Sequence, residues 1–214
     1  MKMKPIIFAV LVATSLSYTV RGETSATTEI PESAQTVSPL LIGSLVPEVT
    51  LETSDSKAFD LRQHSTEKPS VLVFYRGGWC PFCNRHLAGL GKIESKLRDL
   101  GYQILAISPD RPAKLAESLD KTNISYTLLS DHRMQAAQAF GIAFQLDKPT
   151  LKILANYKID IEDASGETHH QLPVPSVFIV GRDGRIGFTY VNPDYKVRLD
   201  ADVMLAAARA VLKQ

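Results

Sequence analysis

Hydrophobic positions change their period along this chain, and the changes mark its elements. Val71-Leu72-Val73-Phe74-Tyr75 is an unbroken apolar run. Successive strand side chains point to opposite faces, so such a run predicts a strand covered on both sides. Gly77-Gly78 ends it. From Pro81 to Leu100, apolar residues recur at Leu87, Leu90, Ile93, Leu97 and Leu100, and Gly101 stands where a helix-capping glycine belongs. That spacing predicts one helix over Pro81–Leu100. Gln103–Ser108 repeats the buried-strand pattern. Ala113–Lys121, entered through Pro112, reads as a helix, Tyr126–Leu129 as a strand and Arg133–Phe140 as a third helix. Short early strands are expected at Val46–Leu51 and Ala58–Leu61. Ser176–Val180 and Arg185–Tyr190 flank Gly181-Arg182-Asp183-Gly184, a hairpin signal, and Asp202–Leu212 is an Ala-rich closing helix. Residues 145–171 are long for a loop and leave room for an extra strand or small helix. Strands alternating with helices, then a hairpin and a helix, predict an α/β sandwich with a mixed central sheet flanked by helices.

The ends of the pattern set the expected domain limits. Lys2 and Lys4 precede an apolar run from Ile6 to Leu16, too short to span a bilayer comfortably. Residues 1–22 therefore read as an export signal with cleavage after Gly22, an uncleaved anchor being the alternative. No Cys stands near the end of the run, which argues against a lipid anchor. An exported protein, periplasmic or otherwise extracytoplasmic, would meet an oxidising compartment and, once the signal is removed, would have no membrane attachment. Residues 23–39 are rich in Thr, Ser, Glu and Pro and read as a flexible linker. The folded domain is expected over residues 40–214.

Composition narrows the function classes. Of 214 residues, 44% are apolar and 22% charged, and the net charge is +1. Nothing in that balance points to nucleic acid or a membrane surface. The chain has two cysteines, both in Cys80-Pro81-Phe82-Cys83. A bridge between them closes so short a loop that it removes little unfolded-state entropy, so a redox role is the stronger reading. Pro81 suits the first helical position, which makes Cys80 the N-cap, beside free N–H groups and the positive end of the helix dipole. Both favour thiolate over thiol. Arg76 and Arg85 add positive potential. Cys83 lies one turn on, within disulfide reach, so the pair can attack, form a mixed disulfide and resolve it. Asn84 stands where covalent haem attachment needs His.

Phe74–Leu87 resembles the active-site segment of the alkyl hydroperoxide reductase/thiol-specific antioxidant group, and more closely the peroxiredoxin-like proteins that carry W-C-P-[FY]-C. The resemblance continues through Ile107-Ser108-Pro109-Asp110, Ser130-Asp131-His132, Phe140-Gly141, Leu172-Pro173-Val174-Pro175, Asp183-Gly184-Arg185 and Val191-Asn192-Pro193-Asp194-Tyr195. It implies a thioredoxin-like fold and a thiol peroxidase acting on hydrogen peroxide or organic hydroperoxides. It also implies Cys80 and Cys83 as the redox disulfide, no cofactor, and a thioredoxin-like or other dithiol electron donor. The family pattern P-x-x-x-T-x-x-C places Arg76 at the Pro position, Cys80 at the Thr position and Cys83 at the position that attacks peroxide. The family's later Arg is replaced near Pro175. Trp79-Cys80-x-x-Cys83 followed by Val174-Pro175 also resembles thioredoxin, which implies a cis Pro175 facing the disulfide. Arg76, Trp79, Pro81 and Pro175 are therefore expected to support the cysteines.

Three functions compete: a peroxidase, an exported dithiol–disulfide oxidoreductase acting on proteins, and a metal-binding or redox-sensing module. The last would need His86, His169 and His170 to join the cysteines in a soft-metal site. Trp79 and Phe82 would form a contact surface beside the cysteines or cap the core. The attacking cysteine stays open here. Helix-end electrostatics and exposure favour Cys80, whereas the peroxiredoxin resemblance favours Cys83.

Overall fold

The computed structural model describes residues 29–121 and 124–213. The expected export signal lies outside the described residues. The elements run β1 (Thr50–Thr53), β2 (Ala58–Asp60), α1 (Leu61–Glu67), β3 (Ser70–Phe74), α2 (Pro81–Gly91), α3 (Glu94–Asp99), β4 (Gln103–Ser108), α4 (Pro112–Lys121), β5 (Thr127–Ser130), α5 (Gln135–Ala139), β6 (Ala143–Gln145), α6 (Lys148–Asn156), α7 (Ile161–Ser165), β7 (Gln171–Pro173), β8 (Ser176–Val180), β9 (Ile186–Val191) and α8 (Ala201–Val211). Seven strands form one sheet in the order β2-β1-β5-β4-β3-β8-β9, and β6 pairs with β7 apart from it. β3, β4 and β5 are parallel neighbours, while β8 runs antiparallel to both β3 and β9. This is the mixed-sheet sandwich that the pattern predicts, and it fits the thioredoxin-like fold that the resemblance implies.

The period-2 rule explains both cores. Val71, Val73 and Tyr75 enter one hydrophobic cluster with Ile104, Ala106, Leu87 and Leu90, whereas Leu72 and Phe74 enter the other with Leu105, Ile107 and Phe140. All five residues of β3 are buried, as a strand covered on both faces requires. Phe74, Phe140 and Phe178 meet at ring-centroid distances of 4.9–5.9 Å. Buried hydroxyls fasten helices to the first core: Tyr126 Oη donates to the Leu87 carbonyl and Tyr102 Oη to the Ala208 carbonyl, each at 3.0 Å.

Three expectations change, and the room left in residues 145–171 is filled. The predicted helix over 81–100 is two helices, because Gly89 and Gly91 weaken its middle and the chain leaves helical geometry at Ile93. The first strand begins at Thr50 rather than Val46, since the Val46 N–H is taken by the Gly184 carbonyl at 3.1 Å. The helix α1, which the sequence reading lacked, follows β2 directly and is capped by the Asp60 carboxylate. Residues 145–171 hold two helices, and each starts at an Asp N-cap, Asp147 or Asp160.

Part of the expected linker is fixed to the domain. Gln145 N donates to the Pro31 carbonyl at 2.8 Å and Leu40 N to the Phe140 carbonyl at 3.1 Å. Ala34, Val37 and Leu40 pack against the Phe74 core, so their burial outweighs the polar composition around them. Gly141 permits this passage: its φ is +67°, and a Cβ there would stand 2.0 Å from the Ser38 carbonyl oxygen. Gly141→Ala should therefore cost about 2 kcal/mol or more, from left-handed strain plus overpacking. Urea denaturation should show the lower midpoint, and limited proteolysis should cut faster between residues 31 and 40. An unchanged midpoint would contradict this packing.

Candidate active site

The turn from β3 into α2 is built from close approaches. Gly77 has φ +138°, and a Cβ there would lie 2.4 Å from Trp79 Nε1 and 2.8 Å from Asp110 Oδ1. Only glycine fits without displacing one of them. Gly78 N donates to Asp110 Oδ2 at 2.7 Å, and the Ser108 hydroxyl donates to the same oxygen at 3.0 Å. Asn84 Nδ2 donates to the Gly78 carbonyl at 2.9 Å, and Cys80 N to the Gly77 carbonyl at 3.1 Å. The buried Asp110, at the end of β4, thus holds the loop that delivers Cys80 to the helix. Burial pushes the Asp110 carboxyl up to about 6, against the pull of the Gly78 N–H and Ser108 hydroxyl.

Cys80 is the N-cap of α2 and Pro81 its first residue. Cys83 sits one turn in. The two sulfurs differ in charge preference. The thiol of Cys83 donates to Cys80 and holds it well below the usual thiol range. Burial opposes this, while the Cys83 backbone N–H and the Arg76 and Arg198 guanidiniums reinforce it. The same hydrogen bond, followed by burial, pushes Cys83 up. The arrangement favours Cys80 as the thiolate and Cys83 as its hydrogen-bond donor. Cys80 is not the exposed residue expected: the two cysteines are 1% and 0% accessible. Trp79 and Phe82 are half-buried and pack against the core cluster that contains both cysteines.

Two arginines complete the site. The Arg76 guanidinium lies 4.3 Å from the Tyr195 ring centroid and 5.1 Å from that of Trp79, cation–π contacts that suit a side chain only 7% accessible. Tyr195 also meets Phe82 edge-on at 5.7 Å. Arg198 Nη2 donates to Cys83 Sγ at 3.4 Å. The sequence reading missed Arg198, Tyr195 and the anchoring role of Asp110. Arg198 is 115 positions from Cys83, a separation at which no local pattern operates. Asp110 belonged to a recognisable run but carried no local sign of its contact with Gly78.

Other expected participants hold different partners. The described residues contain no cis peptide bond, so Val174-Pro175 is trans, contrary to the thioredoxin-like expectation. The segment is occupied in other pairings. Val174 N donates to the Ile142 carbonyl, the Ser176 hydroxyl to the Val174 carbonyl and Asn192 N to the Pro175 carbonyl, at 2.8, 2.7 and 3.3 Å. These bonds continue the chain from β7 into β8 in extended form, for which the ordinary trans isomer suffices. The histidines do not converge on the cysteines. His169 Nε2 bonds the His132 carbonyl and His170 Nε2 bonds Glu162, while burial draws His86 down to about 4. Among the described residues, no group of three or more His, Cys, Asp or Glu side chains could hold a metal. Arg85 lies 5.8 Å from the Phe82 ring centroid, and it is not among the groups that shift Cys80.

Comparison with known proteins gives a consistent picture. The model of the AhpC/TSA family matches residues 42–189. The putative peroxiredoxin bcp of Haemophilus influenzae is 36% identical over 106 residues, covering 50% of this chain and 68% of that protein. Peroxiredoxin Bcp of Escherichia coli K12 is 28% identical over 170 residues, covering 79% of this chain and 96% of its own. The crystal structure of peroxidoxin BcpB from Mycobacterium tuberculosis superposes with a TM-score of 0.60 at 20% identity, over 79% of this chain and 97% of that one.

The buried Asp110 makes loop stability pH-dependent. Its folded pKa, about 6, lies above the ordinary carboxyl value of 3.8. Its stabilising contribution is thus fully present below about pH 4 and is lost as pH rises through about 6. Asp110→Asn, whose amide oxygen can still accept from Gly78, should lack this loss. Denaturant titrations should show the variant gaining on the wild type between about pH 4 and 7. A gap independent of pH would refute the assignment.

Proposed function

Because the chain belongs to the AhpC/TSA family, we propose that it is a thiol-dependent peroxidase that reduces hydrogen peroxide or organic hydroperoxides through Cys80 and Cys83. The observation that carries this reading is the division of charge between the sulfurs, with Cys80 favoured as thiolate by the Cys83 thiol, the helix end and two arginines. In the first step the Cys80 thiolate attacks the terminal peroxide oxygen. The O–O bond breaks, the departing alkoxide or hydroxide takes a proton from solvent and leaves as alcohol or water, and Cys80 becomes a sulfenic acid. Cys83 then gives up its proton and attacks the Cys80 sulfur. The hydroxyl leaves as water, and the Cys80–Cys83 disulfide remains. An external dithiol, thioredoxin-like or similar, returns the pair to the reduced state.

This reading gives the attack to Cys80, although the family pattern aligns Cys83 with the attacking position. The exchange-protein reading has less support, because the backbone groups of Val174 that would pair with a substrate strand already hold Ile142 and Ser176. The charged start and short apolar run support export, so we place the enzyme outside the cytoplasm. Among the described residues no helix is long and apolar enough to cross a membrane.

Single variants separate the cysteines. Cys83→Ser should trap a sulfenic acid on Cys80 after one turnover and then stall. Cys80→Ser should consume peroxide at least about 100-fold more slowly than the wild type. Stopped-flow peroxide consumption with a sulfenic-acid probe and peptide mass mapping would read both. Trapping in Cys80→Ser alone would move the attack to Cys83, and wild-type consumption no faster than free thiol would reject the peroxidase reading.

A further inference from the structure

The contact between Arg198 and Cys83 is not explained by attack on peroxide, because the attacking sulfur in the reading above is Cys80. Arg198 is a well-placed cation. Its Nη1 donates to the Tyr195 and Val197 carbonyls, which fix the plane of the guanidinium, and its Nη2 donates to Cys83 Sγ at 3.4 Å. Its Nε is buried and makes no hydrogen bond, and no carboxylate among the described residues pairs with it. The positive charge therefore acts on both sulfurs, with its hydrogen bond directed to Cys83. Arg198 also lies beyond residues 42–189, the segment matched to the family model.

The reductive half of the cycle gives this contact a task. Cys83 is fully buried, so as a thiolate it carries a desolvation cost and is a poor leaving group. Both sulfurs are buried in the resting protein, and Cys80, at the helix end, is taken as the one that the incoming thiolate attacks. Attack there breaks the S–S bond and sends the electron pair to Cys83. We propose that Arg198 stabilises the Cys83 thiolate as it leaves, when an external dithiol reduces the Cys80–Cys83 disulfide.

The step balances. One donor thiolate bonds to Cys80 Sγ while Cys83 departs as thiolate beside Arg198. The donor's second thiol then attacks its own bridged sulfur and releases the Cys80 thiolate, and Cys83 takes up one of the two donor protons. The donor is oxidised to a disulfide and the enzyme pair is reduced. The Arg76 guanidinium also acts on both sulfurs by charge, but it is held against the Tyr195 and Trp79 rings, and the side-chain hydrogen bond to Cys83 Sγ comes from Arg198. The Arg76 backbone N–H does favour the Cys83 thiolate. The charged and titratable groups around Cys83 and Arg198 include Cys80, Arg76, Tyr75 and, acting on Arg198 from the same helix as Cys83, His86.

The inference rests on the cysteines' acting as a redox pair, and it is tested without peroxide. The disulfide is formed with diamide and reduced with dithiothreitol under stopped flow. Arg198→Met should slow reduction at least about tenfold, and Arg198→Lys should stay within about threefold of the wild type. A purely structural role would not produce the second readout. In the Cys80→Ser background, thiolate absorbance should give a Cys83 pH midpoint that rises by about one unit or more with Arg198→Met and much less with Arg198→Lys. Equal reduction rates and equal midpoints in all three proteins would overturn the proposal. So would a wild type that forms no Cys80–Cys83 disulfide with diamide. Arg198-dependent reduction in a protein that does not consume peroxide would support this inference while rejecting the peroxidase reading.

Discussion

The site depends on one junction, where the central strand β3 gives way to α2 and the buried Asp110 holds Gly78. Pairing with β4 on one side and β8 on the other leaves β3 no freedom of register. Its end therefore fixes the start of the helix. Gly77 and Gly78 let the chain turn against Trp79, Asp110 and Ser118. Pro81 then starts the helix at a position where its missing N–H costs nothing. Cys80 becomes the N-cap as a consequence of these constraints, and its charge preference follows from that position together with Arg76, Arg198 and the thiol of Cys83.

Much of this was legible in the sequence because it is local. The apolar runs at 71–75 and 104–107 carry the strand signal in themselves, and Pro81 after Cys80 carries the cap. What was not legible depends on distance. Arg198 reaches Cys83 only because β8, β9 and the turn before α8 return the chain to the end of α2. Tyr195 stacks on Arg76 for the same reason. Gly89 and Gly91 were weak breakers inside a good apolar period, and they divide the helix although Leu90, Ile93 and Leu97 all stay buried. The trans Val174-Pro175 shows the limit of analogy. Two folds related in outline can place a proline at corresponding points, yet the hydrogen bonds of Val174, Ser176 and Asn192 decide the backbone there.

The segments outside the regular sandwich also bear on the site. Leu154 of α6, Leu172 of β7 and Leu146 before α6 form a small apolar cluster, to which Leu151, Ile159, Ile161 and Trp79 add. Trp79 packs against the main core as well, so it joins the excursion to the cysteine pair. Asp163 on α7 ties the excursion to α4 through Arg111 and Lys114, at 2.5 and 2.8 Å. These are exposed ion pairs of small individual worth. The apolar contacts of Trp79, not the salt bridges, give the excursion its firmer hold next to Cys80.

The central claim is that Cys80, rather than Cys83, carries the reactive negative charge in the reduced protein. It is tested most directly by alkylating the reduced wild type with limiting iodoacetamide across pH and locating the label by peptide mass spectrometry. The account expects label on Cys80 first, with a midpoint well below the ordinary thiol value of about 8.5, and Cys83 spared. Label appearing first on Cys83, or on neither residue until the ordinary thiol range is reached, would contradict it.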